Sequence, residues 1–341
     1  MFARKISWQV LFIGLAGFTL GLVFRFPGVS MPKEDIVVMR NAYADAEYLA
    51  EVRGVKIREI GFGIRARTLI FKDKSFVMVL PLNSTFLMAW HLYNRIMDFG
   101  GLHNREDDFA VDIFSRFCGK SGPQLVLDVG TNIGYYSLLA AVFGCRVMAF
   151  DGNLEALAYM KISLAMNGFS DRVKIVEALV SNVTDVQFDG FYANLKNNTS
   201  SQTSPAYVTT RSVQLDDLVH QQALYAKIDV EAWEPAVFAS AKKMFRERPP
   251  LYLFFEMTYW QDTWRYGYIE IFTMLKDAGY TCDSSILQRV ITMPTTKNDF
   301  DAMLKSYDFI CDRTRLPFCQ DEFICILPSA IYNPLSNKSQ V

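Results

Sequence analysis

The feature that most constrains the fold is an apolar run, Leu125-Val126-Leu127, that ends in Asp128-Val129 and passes through a turn bearing Gly130 and Gly134 into a helix-forming stretch. A strand apolar on both faces belongs inside a parallel sheet, and the turn at its carboxyl end is where open α/β sheets take ligands. The glycines permit backbone conformations closed to other residues and a close approach to whatever lies against the turn. A second run, Val147-Met148-Ala149-Phe150, ends in Asp151. That places a carboxylate at the neighbouring strand end, where it can accept hydrogen bonds from ribose hydroxyls.

A dinucleotide-binding turn needs Gly-x-Gly-x-x-Gly so that a pyrophosphate can rest on the helix N-terminus. The sequence here is Gly130-Thr131-Asn132-Ile133-Gly134, without the middle glycine and without the Gly-Lys-Ser/Thr ending of a phosphate loop. A nucleoside without phosphates is the expected ligand. The plainer reading of the same residues is an ordinary strand–turn–helix junction.

The alternation extends along the chain. Strands over 125–128, 146–150 and 173–178, with helices over 135–143 and 154–167, make a βαβαβ half. A second half follows as strand 225–230, helix 233–245, strand 251–255, helix 269–278 and a last strand at 323–327. The predicted fold is a doubly wound, mostly parallel α/β sheet with helices on both faces. Between the halves, the Asn/Ser/Thr-rich residues 194–210 read as a mobile surface loop. Upstream, 67–71 and 76–81 read as a hairpin around Asp73-Lys74 that roofs the α/β domain. The chain divides into an N-terminal anchor (1–26), an elaboration (27–103), the α/β domain (104–330) and a polar tail (331–341).

The segment Leu127-Asp128-Val129-Gly130-Thr131-Asn132-Ile133-Gly134-Tyr135-Tyr136-Ser137 resembles the cofactor turn of FkbM-type S-adenosylmethionine-dependent methyltransferases. Lys227-Ile228-Asp229-Val230-Glu231-Ala232-Trp233-Glu234 is similar to that family's Lys-Ile-Asp-Val-Glu-Gly-x-Glu signature, and Ser212-Val213-Gln214-Leu215-Asp216-Asp217-Leu218 to the stretch preceding it. The resemblance spans roughly residues 104–327 and implies a class I methyltransferase fold that binds S-adenosylmethionine. It assigns Asp128, Gly130, Thr131, Asn132, Gly134, Asp151, Gly152, Asn153 and Ala178 to the cofactor. Two positions depart from the family pattern: Asp151-Gly152 stands where Glu-Pro is usual, and Ala232 where Gly is usual.

Methyl transfer from a sulfonium asks the protein to align the acceptor oxygen and help remove its proton. Asp229 and Glu231 alternate at one strand end and Glu256 closes the next apolar run, so these three are the catalytic candidates. Each carboxylate has a plainer role available, capping a helix or pairing with a lysine. Asp216-Asp217 reads as a helix start. Trp233, Trp260 and Trp264 offer a sugar-stacking wall, with core packing expected for at least one of them.

The 341 residues carry a net charge of −1 with no basic stripe, which argues against nucleic acid as a partner. Residues 6–24 are uncharged and mostly apolar, flanked by Arg4-Lys5 and Arg25, and predict an uncleaved membrane-spanning signal anchor. Glycosylation sequons begin at Asn83, Asn182, Asn197, Asn198 and Asn337, as expected of a lumenal domain. Cys118 and Cys145 read as buried free thiols, whereas Cys282, Cys311, Cys319 and Cys325 are placed to form one or two disulfides. With three histidines and no Cys-x-x-Cys pair, no metal site is expected. Nothing in the sequence specifies an oligomer. The expectation is an O-methyltransferase acting on a hydroxyl of a glycan or glycoconjugate, held in the Golgi or endoplasmic reticulum membrane with its domain in the lumen. The alternatives are a lipid or small-molecule acceptor, and a membrane-anchored binding subunit that has lost catalysis.

Overall fold

The computed structural model describes residues 64–81, 95–96, 101–102, 104–120, 124–183, 186–188, 193–195, 208–258, 266–307 and 320–330. The expected anchor, Trp260, Trp264, Cys311, Cys319 and every sequon asparagine except the exposed Asn182 lie outside them. Among the described residues no helix is long and apolar enough to cross a membrane.

The described residues open with a hairpin, β1 (Ile64–Phe71) and β2 (Lys74–Pro81), and α1 (Arg105–Phe117) comes after it. The predicted alternation then runs as β3 (Leu125–Val129), α2 (Tyr135–Val142), β4 (Arg146–Asp151), α3 (Leu154–Asn167) and β5 (Val173–Glu177). Short strands β6 (Leu179–Val180), β7 (Val186–Phe188), β8 (Ala193–Leu195), β9 (Val208–Thr210) and β10 (Ser212–Val213) precede the single-turn helix α4 (Leu215–Leu218). The second half is β11 (Tyr225–Ile228), α5 (Glu234–Ala239), α6 (Lys242–Glu247), β12 (Tyr252–Thr258), α7 (Gly267–Asp277), β13 (Thr281–Ser284), β14 (Arg289–Val290), α8 (Lys297–Tyr307) and β15 (Gln320–Ile326).

Among the described residues the main sheet has eight strands, in the order β14-β13-β15-β12-β11-β3-β4-β5. From β12 to β5 every pairing is parallel, and β15 adds antiparallel to β12. One face packs a core with α1, α2, α3 and the hairpin; the other packs one with α4 to α8. This is the expected doubly wound arrangement, with an antiparallel extension of β15, β13 and β14 at one end of the sheet.

The predicted hairpin forms, and three other expectations are corrected. The hairpin packs on the helix layer, with Val77 N–H donating to Asn167 Oδ1 at 2.8 Å and Val79 N–H to Ser163 Oγ at 2.9 Å. It covers α2 and α3 of the α/β domain. The expected loop 194–210 begins and ends in strand, since β8 and β9 flank β7 in a three-stranded antiparallel sheet. The helix expected over 233–245 breaks at Ser240-Ala241, where the first turn of α4 takes up the freed backbone: Asp216 N–H donates to the Ser240 carbonyl at 3.0 Å. The Asp216 carboxylate then caps α6 from a distance, accepting from Lys243 N–H at 2.9 Å and Met244 N–H at 2.7 Å. Lastly, Cys118 and Cys145 form a disulfide. The turn after α1 runs against the turn after α2, where a Cβ on Gly144 would lie 3.1 Å from Gly119 Cα, and this brings the two thiols together. Cys282 pairs with Cys325, directly opposite it in the β13–β15 register.

Candidate active site

The carboxyl ends of β4, β3, β11 and β12 lie side by side, and the turn after β3 is held there by the protein's own hydrogen bonds. Gly130 and Thr131 N–H groups both donate to the Phe150 carbonyl, at 2.9 and 3.1 Å, and Gly134 N–H to the Thr131 carbonyl at 2.9 Å. Asn132 N–H donates to Asp151 Oδ2 at 2.7 Å. With these amides committed internally, the turn has little left to cradle a phosphate, which gives a structural reason for the ligand class expected from sequence.

The glycines also answer to the protein. Gly130 has φ +77°, and a Cβ there would stand 1.8 Å from the Asp229 carbonyl oxygen; at Gly134, φ +87°, it would meet Met160 Cγ at 2.4 Å. The close approach expected toward a ligand is therefore made at Gly130 to the loop after β11, and at Gly134 to α3.

Asp128 lies beneath the turn, 1% exposed. Its Oδ2 accepts from Thr131 Oγ1 at 2.7 Å and Ser137 Oγ at 2.6 Å, so Asp128 and Thr131 brace the turn from below. Asp151 is half-buried at the end of β4, and Asn153 N–H donates to its Oδ1 at 2.8 Å. Each Asp151 oxygen keeps a lone pair for a ribose hydroxyl. Burial raises its pKa, and the two amides pull it back down. Asn132 is half-buried with φ +52°. Gly152 is buried, and Asn153 Oδ1 accepts from Ala156 N–H at 3.1 Å in the first turn of α3. Ala178, fully buried just past β5, has only its backbone to offer.

The three catalytic candidates come together. Carboxylate oxygens of Asp229, Glu231 and Glu256 all lie within 4.8 Å of one another. Glu256 does not close its strand; β12 runs on to Thr258 and sets Glu256 opposite Glu322 of β15. Burial above all, then Asp229 and Glu234, pushes Glu231 up to about 8. Glu256 is raised well above the ordinary range by burial and then by Asp229 and Glu231. A carboxyl tuned near neutrality suits proton transfer at neutral pH. Glu231 and Ala232 both take left-handed backbone, φ +55° and +71°, in the tight turn between β11 and α5.

Two residues of the quoted signature take parts that sequence reasoning left unassigned. Lys227 has a side chain 5% exposed, and its ammonium donates to Asp229 Oδ2 at 3.0 Å and to the Gly130 carbonyl at 3.3 Å, joining the acid cluster to the turn. A lysine inside the buried strand Tyr225-Ala226-Lys227-Ile228 is the signal that could have found it. Glu234, fully buried, accepts from Val230 N–H at 3.0 Å and Tyr268 Oη at 2.7 Å, fixing the loop that carries Asp229 and Glu231. Trp233, 3% exposed, packs in the core and is not part of a stacking wall.

Residues 128–282 match the family model of the methyltransferase FkbM domain. No curated protein matches the chain by sequence. Among solved structures, the chain is similar to a methyltransferase FkbM from Methylobacillus flagellatus KT, at 14% identity over 50% of this chain and 43% of that one, with a TM-score of 0.34. It is also similar to an rRNA methylase from Streptococcus thermophilus (13% identity, 66% and 98% covered, TM-score 0.38) and a SAM-dependent methyltransferase from Agrobacterium tumefaciens (11%, 77% and 70%, TM-score 0.40).

Proposed function

We propose, from the methyltransferase FkbM domain that residues 128–282 carry, that the protein transfers a methyl group from S-adenosylmethionine to a hydroxyl of a glycan or glycoconjugate. The observation that carries the cofactor is the turn after β3. Its amides are spent on Phe150, Thr131 and Asp151, while a half-buried carboxylate stands beside it and an acidic cluster faces it across Lys227. Such a site suits a ligand with a ribose diol and a cationic sulfonium and disfavours one with a pyrophosphate.

Asp151 takes the ribose, and the turn residues Asn132 and Gly152 line the cofactor's path. Asp229, Glu231 and Glu256 receive the acceptor hydroxyl, with Glu231 the group best tuned to take its proton near neutral pH. A secretory setting, with the domain in the lumen of the Golgi or endoplasmic reticulum, is supported by the two buried disulfides, which belong to oxidising compartments, and by the exposed sequon asparagine Asn182. The apolar run 6–24 supplies the anchor in this reading.

Incubating the purified protein with methyl-tritiated S-adenosylmethionine and separate panels of glycans, lipids and small alcohols tests the acceptor. Label entering the glycan panel, in a form stable to base as an ether is, supports the reading. Label confined to lipids or small alcohols overturns the glycan assignment while leaving the enzyme class intact.

A further inference from the structure

We propose that Asp229, Glu231 and Glu256 bind one hard divalent cation, of the Mg²⁺ or Mn²⁺ class, on the acceptor side of the turn. Their oxygens converge within 4.8 Å from the loop after β11 and from within the adjacent parallel strand β12. An all-carboxylate set at that spacing is a donor set for an oxygen-seeking ion. Among the described residues Lys227 is the cation bonded to the group, and of the three carboxylates its ammonium reaches Asp229, at 3.0 Å from Oδ2, so the set is not neutralised.

An observation outside the triad points to the same place. Val126, Tyr225, Phe254 and Ile324 belong to the core beneath α1, α2 and α3. Asp128, Lys227, Glu256 and Glu322 follow each of them by two residues, or precede it by two in antiparallel β15, and so project toward the same face. Glu106, on α1, is 4% exposed, and among the described residues its Oε1 has no hydrogen-bond partner. Burial above all raises its pKa, and Lys227, Asp229, Glu322 and the Tyr136 hydroxyl act on the same carboxyl, which therefore lies near Asp229. A buried carboxylate oxygen without a donor calls for a water or a cation, and a metal-bound water supplies such a donor.

Binding of the ion stands on this geometry. Its use, to orient and acidify an acceptor hydroxyl, rests on the methyltransferase reading.

The test is titration of the full chain with Mn²⁺, following the electron paramagnetic resonance signal of the free ion, with calorimetry of S-adenosylmethionine binding on the same samples. One Mn²⁺ per chain is expected, with a dissociation constant on the order of 10⁻⁴ M, as at open carboxylate sites. Glu231→Gln and Glu256→Gln should each weaken it about tenfold or more. Glu177→Gln, on the same sheet edge and paired with Lys161 at 2.5 Å, should leave it unchanged. Free Mn²⁺ undiminished by millimolar wild-type protein, or stoichiometric binding indifferent to both cluster amides, overturns the proposal. Cofactor binding without Mn²⁺ binding overturns the metal site alone; loss of both counts also against the methyltransferase reading.

Discussion

The carbonyl oxygen of Asp229 occupies the space that a side chain on Gly130 would need, 1.8 Å from where its Cβ would lie. Turn and acid loop are thus in backbone contact, and Lys227 ties them a second time through the Gly130 carbonyl and the Asp229 carboxylate. A shift in one moves the other.

Gly130→Ala therefore strikes both halves of the site. The methyl group must displace the 229–231 backbone and adopt φ +77°, at a cost of about 2–4 kcal/mol in folding stability. Urea unfolding measures that loss, and calorimetry should show S-adenosylmethionine affinity falling with it. An alanine variant with wild-type stability would contradict the contact.

Asp151 combines two tasks, holding the amides of Asn132 and Asn153 and presenting lone pairs to the ribose. Asp151→Ala should weaken S-adenosylmethionine binding by about 1.5–3 kcal/mol, the range for hydrogen bonds to a charged group, and lower stability by roughly 1–2 kcal/mol through the two orphaned amides. Unchanged affinity in a folded variant would remove the ribose assignment.

Ala232 sits at φ +71°, where glycine is at ease and alanine is strained. Ala232→Gly should stabilise the protein by roughly 0.5–1 kcal/mol, the relief of left-handed strain less the entropy glycine adds to the unfolded chain. Thermal unfolding reads the sign; a lowered midpoint would show that the turn after β11 prefers alanine.

Glu234 gives the fold a pH dependence of defined sign. Burial pushes it up to about 7, while in the unfolded chain it ionises near 4.3. Between those values the unfolded chain has lost the proton that the folded protein keeps, so stability falls as pH rises across this window and levels off above it. Glu234→Gln should flatten the slope. The wild-type minus variant difference in unfolding free energy should drop by on the order of 2–3 kcal/mol from pH 4 to pH 8 in urea titrations, and a difference that rises would contradict the assignment.

How much of this is legible in the sequence depends on range. Runs such as Val126-Leu127 and Val147-Met148-Ala149-Phe150 announce buried parallel strands by themselves, and α3 is legible to the residue because its span is bounded by Asn153 and Gly168. The break after Ser240 is not legible, since it depends on a hydrogen bond from Asp216, 24 residues earlier in the chain. The same holds for the Cys118–Cys145 disulfide, which depends on how two helix ends meet. At the site, the carboxylates are readable as residues at strand ends. Their convergence is not, because it depends on β12 continuing to Thr258 and on the left-handed turn at Glu231 and Ala232. Asp128 shows the opposite limit: its position at a strand end suggests a ligand contact, while parity within β3 turns it into the core under Thr131 and Ser137.

The measurement that bears most directly on the central claim is calorimetric titration of the purified protein with S-adenosylmethionine and, separately, with NAD. The account predicts saturable one-to-one binding of S-adenosylmethionine, weakened in Asp151→Ala, and no binding of NAD, because the turn's amides are already bonded to Phe150 and Asp151. Saturable NAD binding, or no binding of S-adenosylmethionine by a folded protein, would contradict it.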